Sequence, residues 1–316
     1  MDRRTFGTLA ASTFGLALGR RATAADAPAV FRVGYQKIGI LVVARNRKSL
    51  EEALGGRGVS VEWVEFTAGP PLLEAMNVGS IDFGITGDTP PIFAQAAGAA
   101  ITYIAALPPN GPGEGIVVKP DSPIRTVADL KGKRVGFRRG SSAQNLLVVA
   151  LEQAGVAWSD IEPLDLSPAD AAAAFDRDSI DAWSIWDPFF AVAQERYDPR
   201  VLVTSAEALD ANTFLLANPN FANAHPDIIR DAVAALTTTA EWAQGHKEAV
   251  AEALHAETKV DLKALQRAAA RATFYVRPID AKIVANQQAT ADRFSALGLI
   301  PKQIAVQNAV WKTPAS

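Results

Sequence analysis

Four stretches of the chain join an apolar run to a helix-like run through residues able to hold a negatively charged group. They are Thr67-Ala68-Gly69-Pro70-Pro71, Thr86-Gly87-Asp88-Thr89-Pro90-Pro91, Arg138-Arg139-Gly140-Ser141-Ser142 and Trp183-Ser184-Ile185-Trp186-Asp187-Pro188. At a strand-to-helix turn the first backbone N–H groups lack intrahelical acceptors and the helix dipole favours negative charge, so such a turn can take an anion. Gly87 lets the backbone approach a ligand closely, Thr86, Thr89, Ser141 and Ser142 offer hydroxyls, and Arg138 would add a permanent positive charge. Taken singly, each turn reads as an ordinary helix cap, since Ser, Thr and Asp are the usual capping residues. Arg138 and Arg139 also continue a basic run with Lys131, Lys133 and Arg134, which reads as a solvated face. Trp183 and Trp186 are three apart in a strand-like segment and face opposite sides, which makes one of them core. The case for a site rests on the convergence of several such turns.

Residues that carry covalent or metal chemistry are missing or scattered. The 316-residue chain has no Cys, which excludes disulfides and thiolate metal sites. His225, His246 and His255 lack metal-ligand spacing and read as surface residues. Gly111-Pro112-Gly113-Glu114-Gly115 has neither the glycine spacing nor the following helix of a dinucleotide site, and no nucleophile-elbow motif occurs. Carboxylates are dispersed, so an acid–base pair would have to assemble in space without a local signature. Lys+Arg 31 against Asp+Glu 34 gives a net charge of −3, which argues against nucleic-acid binding, where a basic face must displace counterions. The expectation is a binding protein with no catalytic residues, no cofactor and no metal.

The elements that must position the four turns follow an α/β pattern with largely parallel sheets. Strands are predicted over 31–35, 59–66, 81–86, 101–106, 115–118, 134–137, 161–166, 180–185, 201–204 and 213–217, and helices over 41–54, 72–78, 91–97, 143–154 and 169–176. Gly55-Gly56 and Gly155 suit helix C-caps, and Ser167-Pro168 and Asp88-Thr89-Pro90 place a cap ahead of Pro in a first turn. Beyond Phe221 the apolar spacing is near three and four, predicting amphipathic helices over 226–244, 247–255, 262–270 and 280–297. No internal sequence repeat is seen. Lys119-Pro120-Asp121-Ser122-Pro123 breaks the chain, and Val117-Val118 with Leu215-Leu216 are taken as two crossings between lobes. Lobe I is then 28–118 plus 214–316 and lobe II is 119–213, with a ligand cleft between them.

Residues 1–27 read as an export signal. Arg3-Arg4 precede a mildly apolar run from Thr5 to Gly19, then Arg20-Arg21 and a small-residue stretch to Ala27. The run is too short and too diluted to span a bilayer, and the paired arginines followed by Thr5-Phe6 suit a twin-arginine signal. A periplasmic location follows.

The chain resembles the aliphatic-sulfonate-binding proteins of bacterial ABC importers, within the wider group that binds taurine, nitrate and pyrimidine precursors. The stretches that carry the likeness are Gly34-Tyr35-Gln36-Lys37, the run from Asn77 to Pro91, the run from Asp181 to Phe189, Phe93–Gly98 and Asn308-Ala309-Val310-Trp311. The resemblance implies a type II periplasmic-binding-protein fold, two lobes with a two-crossing hinge that close on a small organic sulfonate, a monomer, and docking on a membrane permease. The implied ligand residues are Gln36, Gly69, Pro70, Thr86, Gly87, Asp88, Thr89, Gly140, Ser141, Ser142, Trp186 and Asp187, with Glu114 joining from the loop after Pro108-Pro109. Where the family often has Lys-Gly-Ser-Asn, this chain has Arg139-Gly140-Ser141-Ser142 preceded by Arg138, which implies a more cationic pocket. Alternatives are a taurine, nitrate or other small-anion receptor and, more distantly, an enzyme on the same fold.

Overall fold

The structure is a computed structural model that describes residues 30–109 and 111–312, so the expected export signal over 1–27 lies outside the described residues. In chain order the strands are β1 (Val30–Tyr35), β2 (Ser60–Glu65), β3 (Phe83–Thr86), β4 (Thr102–Leu107), β5 (Glu114–Val118), β6 (Arg134–Phe137), β7 (Glu162–Asp165), β8 (Ala182–Trp186), β9 (Arg200–Thr204) and β10 (Thr213–Ala217). Each coincides with one of the predicted runs. They form two five-stranded sheets, ordered β2-β1-β3-β10-β4 and β7-β6-β8-β5-β9. The β1–β2, β1–β3, β6–β7 and β6–β8 pairs are parallel, whereas β10 lies antiparallel between β3 and β4, and β5 antiparallel between β8 and β9. Both sheets are therefore mixed rather than largely parallel, because the strand entered directly after each crossing, β5 and then β10, runs antiparallel to both of its neighbours.

Those crossings correct the expected hinge. The chain leaves the first sheet at the end of β4 (Leu107) and enters the second at the start of β5 (Glu114), and it leaves the second at the end of β9 (Thr204) and re-enters the first at the start of β10 (Thr213). Val117 pairs with both Trp183 and Val201, and Leu215 with both Ile85 and Ala105, so the segments expected to cross are central ladder positions. Their β-branched and aliphatic runs mark burial, whereas Pro108-Pro109 and Gly111-Pro112-Gly113 supply the breaks that let a chain leave one sheet. Glu114–Val118 thus belongs with the second sheet.

The two halves repeat a fastening. In the first, Arg32 donates to Asp82 through its backbone N–H at 2.8 Å, Nε at 3.0 Å and Nη2 at 2.7 Å. In the second, Arg134 donates to Asp181 through the same atoms at 2.8, 3.1 and 2.8 Å. Each fork ties one strand of a parallel pair to the segment leading into the other, β1 to β3 and β6 to β8, and each Asp ends a Ser-Ile-Asp stretch. The sequence therefore does contain a repeat, one of three residues with an acid following at a fixed distance.

Helices cover the sheets and their apolar faces fill the cores. Phe31, Val33, Leu41 and Phe83 pack with Leu236 and Leu254 on one face of the first sheet, and Val117, Phe175, Trp183 and Phe190 pack on one face of the second. The helix Ser142–Gln153 buries nearly all its length, including the polar Gln144 and Asn145. A small cluster of Ala191, Ala264 and Ala268 joins the helix Phe189–Tyr197 to the helix Leu262–Arg271, and these small side chains let the two helices approach closely.

Candidate functional site

The strand-to-helix turns of both sheets open on one cleft, whose empty space is about 980 Å³ with its solvent mouth included. Thr86 ends β3 and Gly87 follows it, Gln36 follows β1, and Gly69 starts the helix Gly69–Asn77. Ser142 starts its helix from the other side with Ser141 just before it, Trp186 ends β8 with Asp187 just after it, and Glu114 begins β5. These nine are the sequence-predicted residues that line the cleft. Trp183 is the core member of its pair at 2% exposure, and Trp186 the cleft member.

Five others stand elsewhere. Asp88 and Thr89 are buried beneath the wall at 1% and 0% exposure. Gly140 adopts φ of 70°, and a Cβ there would lie 3.5 Å from Cγ of Pro70 and 3.4 Å from the Phe93 ring, so Pro70 and Gly140 face one another across the halves. Arg138 donates from Nη1 to Asp165 Oδ1 at 3.2 Å and does not line the cleft, so the more cationic pocket implied by its sequence position is not formed by it in this arrangement. That pairing follows from the register of β6 and β7, which sets Phe137 against Asp165 and leaves the next residue beside that acid.

Two buried acids span the cleft. Asp88 accepts from Asn145 Nδ2 of the opposite half at 2.5 Å and from Thr89 Oγ1 at 3.0 Å, while its carbonyl accepts from Gln287 Nε2 at 2.6 Å. Burial pushes the Asp88 carboxyl up to about 6, with the Thr89 and Asn145 hydrogen bonds pulling the other way. Asp187 accepts a fork from Arg271, with Nε at 2.8 Å and Nη2 at 2.5 Å, and also accepts from the Ala191 backbone N–H at 3.1 Å. Burial raises this carboxyl as well, and the Arg271 hydrogen bond and charge oppose the rise. Arg271 lies over the Phe190 ring, 4.4 Å from its centroid, and donates from Nη1 to Gln194 Oε1 at 2.9 Å. The halves touch where a Cβ on Gly87 would come within 2.9 Å of the Ser142 Cβ, so only a glycine fits between the two anion-type turns.

Several cleft residues escape sequence reasoning. Leu254, Ala268, Ala269 and Ala272–Phe274 form one wall, and Ile38–Ile40 another. They carry no local signal, because apolar residues at helical spacing read as core. Asn145, Arg271 and Gln287 bind acids 57, 84 and 199 positions away, a partnership no spacing rule reports.

The lining contains no Lys or Arg among the described residues. Its neutral polar groups are the hydroxyls of Thr86, Ser141 and Ser142 and the amide of Gln36, beside an apolar wall of Leu107, Pro108, Trp186 and Phe274; Thr86 Oγ1 donates to the Gly87 carbonyl at 3.0 Å, Ser141 Oγ to the Arg138 carbonyl at 2.6 Å and Gln36 Nε2 to the Ile85 carbonyl at 3.3 Å. Such a cleft suits a small anion with an organic tail, solvated by fixed dipoles rather than by a counterion. Among the described residues no group of His, Cys, Asp and Glu could hold a metal ion, and no helix is long and apolar enough to cross a membrane.

Two mixed sheets joined by two crossings around a cleft of neutral polar groups define a ligand-capturing binding protein. Residues 55–250 match the family described as NMT1/THI5 like. An aliphatic sulfonates-binding protein of Escherichia coli (strain K12) is 41% identical, covering 97% of this chain and 94% of that protein. The alkanesulfonate-binding protein SsuA from Xanthomonas axonopodis pv. citri, solved bound to MOPS, has a TM-score of 0.84 at 40% identity over 90% of this chain and 98% of that one. The periplasmic aliphatic sulphonate binding protein SsuA from Escherichia coli has a TM-score of 0.83 at 39% identity over 92% of this chain and 94% of that one. The chain belongs to the NMT1/THI5-like family, among the aliphatic-sulfonate-binding proteins. Its periplasmic-binding-protein fold is the one the sequence leads us to expect, and these relatives are binding proteins rather than enzymes.

Proposed function

We propose that the chain is the receptor of an ABC importer that captures an organic sulfonate between its two halves and delivers it to an inner-membrane permease. The observation that carries this reading is a cleft that combines hydroxyl and amide groups with indole and prolyl surface and has no Lys or Arg among its described lining residues. A sulfonate is a permanent monoanion with three acceptor oxygens, which hydroxyls and helix-start N–H groups can satisfy. A dianion such as sulfate would bring a second charge into a cleft whose described lining holds no Lys or Arg to balance it. The size of the cleft favours a ligand with a tail over nitrate, which is small and planar.

The ligand residues in this reading are Gln36, Gly69, Thr86, Gly87, Glu114, Ser141, Ser142 and Trp186, with Asp88, Thr89, Pro70, Gly140 and Asp187 holding the walls. The lobes are the two sheet-centred halves, hinged between β4 and β5 and between β9 and β10. Export through the signal over 1–27, a periplasmic location and a monomeric state complete the proposal, and all three rest on the sequence and on family membership. The test is a calorimetric titration of the mature chain, stripped of carried ligand by unfolding and refolding, in buffers that are not themselves sulfonates. Micromolar or tighter binding of alkanesulfonates, with silence for sulfate and nitrate, is the expected result. No heat with any sulfonate would overturn the reading.

A further inference from the structure

Glu114 borders both the main cleft and the smaller pocket behind it, which Gly87, Asp88, Ser142 and Asn212 also line. Its Oε2 is buried without a hydrogen-bond partner. A buried carboxyl oxygen left unpaired costs free energy in either protonation state, and the cost is far larger for the charged form. The titratable groups that face Glu114 are Asp88, from the turn after β3, and Asp187, from the end of β8. Asp187 is held in the Arg271 fork. The neutral polar neighbours are Ser142 at its helix start and Ser205 in the second crossing, whose Oγ accepts from the Glu114 backbone N–H at 3.1 Å. An ionised Glu114 would stand as a further negative charge beside hydroxyls arranged for an anion.

We propose that Glu114 is a specificity-determining residue of this cleft, acting as a neutral acid whose Oε2–H donates to an oxygen of the bound sulfonate, so that anion capture requires this proton. The proposal rests on the sulfonate-binding reading above and adds a proton to it. Burial is the largest influence on the carboxyl and pushes it up to about 8; Asp88 and Asp187 push the same way and Ser142 opposes. The free protein therefore already holds the proton at neutral pH. Above that value the acid is ionised before binding, and the ligand must draw a proton from solution.

The experiment titrates ethanesulfonate and taurine into the full mature protein and the Glu114→Gln variant, in non-sulfonate buffers of contrasting ionisation heat. For wild type, affinity for ethanesulfonate should fall about tenfold from about pH 7 to about pH 9, with net proton uptake on binding at the higher pH. Glu114→Gln keeps an N–H donor and loses the titration, so its affinity should be flat across the same range with no uptake. A wild-type affinity that is flat with pH, without proton uptake, overturns the proposal and requires no variant to fold. So does a variant that retains the wild-type fall, or one that loses taurine selectively, since the carboxyl would then be accepting from the ligand's ammonium. Absence of sulfonate binding at every pH overturns the receptor reading itself, an outcome distinct from binding that ignores pH.

Discussion

Asp88 and Asp187 occupy the same place in the two halves of the molecule, each six residues beyond an Asp that closes a fork with an Arg on the neighbouring strand. Both are almost wholly buried and both reach across the cleft. Their partners differ in kind. Asp88 meets the neutral amide of Asn145, whereas Asp187 meets the guanidinium of Arg271. Two sites in equivalent positions thus use different electrostatics: a charge-neutralised fork fixes one link, and a carboxyl held by neutral donors makes the other. The difference teaches that the second half anchors the helix Leu262–Arg271 firmly, while the link through Asp88 is the one whose strength changes with protonation.

The sharpest way to break the contrast is to remove Arg271. In Arg271→Ala the Asp187 carboxylate is left 2% exposed with only the Ala191 N–H, and the Phe190 ring loses its covering cation. Removing one member of a buried pair costs about 3–5 kcal/mol, because the remaining charge is stranded. A drop of that size in stability from urea unfolding is expected, and Asp187→Asn placed on top of it should recover part of the loss. Equal stability of wild type and Arg271→Ala would mean that the fork contributes nothing beyond its neighbours.

Asp88→Asn should act in the opposite direction. The Asp88 carboxyl sits at about 6 in the folded chain against an ordinary value of 3.8, so the native state holds its proton over an interval in which the unfolded chain has lost it. Stability therefore falls as pH rises through that interval and stays at the lower level above it. An amide avoids the penalty: its Oδ1 still accepts from Asn145 Nδ2, and its Nδ2 can donate to Thr89 Oγ1. At neutral pH Asp88→Asn should gain about 1–3 kcal/mol, since each tenfold change in proton affinity corresponds to about 1.4 kcal/mol. Unfolding followed from about pH 4 to about pH 7 should show this slope diminished in the variant. A variant less stable than wild type at neutral pH would show that the charge itself is wanted there.

The same pair shows what a sequence can report. All the strands are legible, because short β-branched runs between Gly and Pro breaks have few other uses, as in Phe31–Tyr35 and Arg134–Phe137. The turns are legible too, since Thr86-Gly87 and Ser141-Ser142 bring hydroxyls to helix starts in a way that composition and order alone record. What stays hidden is pairing over distance. Nothing near Asp187 names Arg271, and nothing near Asp88 names Asn145 or Gln287. The hinge is misplaced because apolarity in Val117-Val118 reports burial, which a central strand and a lobe crossing share. The Ser-Ile-Asp repeat is readable, and following it six residues on sets Asp88 beside Asp187 as equivalents before any fold is known.

The smallest expected effect separates a buried cation from a solvated one. Arg138 precedes the Ser141-Ser142 turn by only a few residues, and sequence order alone makes it a natural partner for a bound anion, so its removal would be expected to weaken capture several-fold. Instead its side chain is 35% exposed and pairs with Asp165, itself 32% exposed, at 3.2 Å. Arg139 shares that same acid at 3.6 Å, so losing Arg138 leaves Asp165 with a partner. Exposed pairs of this kind contribute about 0–1 kcal/mol, screened further by salt. Arg138→Ala should therefore shift the unfolding midpoint little and leave sulfonate affinity within about twofold of wild type, the residual being long-range field that salt removes. A several-fold loss that persists at high salt would place Arg138 against the ligand in the bound state. The helix start at Ser142 would then be assisted by a cation, as Asp187 is, and the contrast between the two halves would narrow to Asp88 alone.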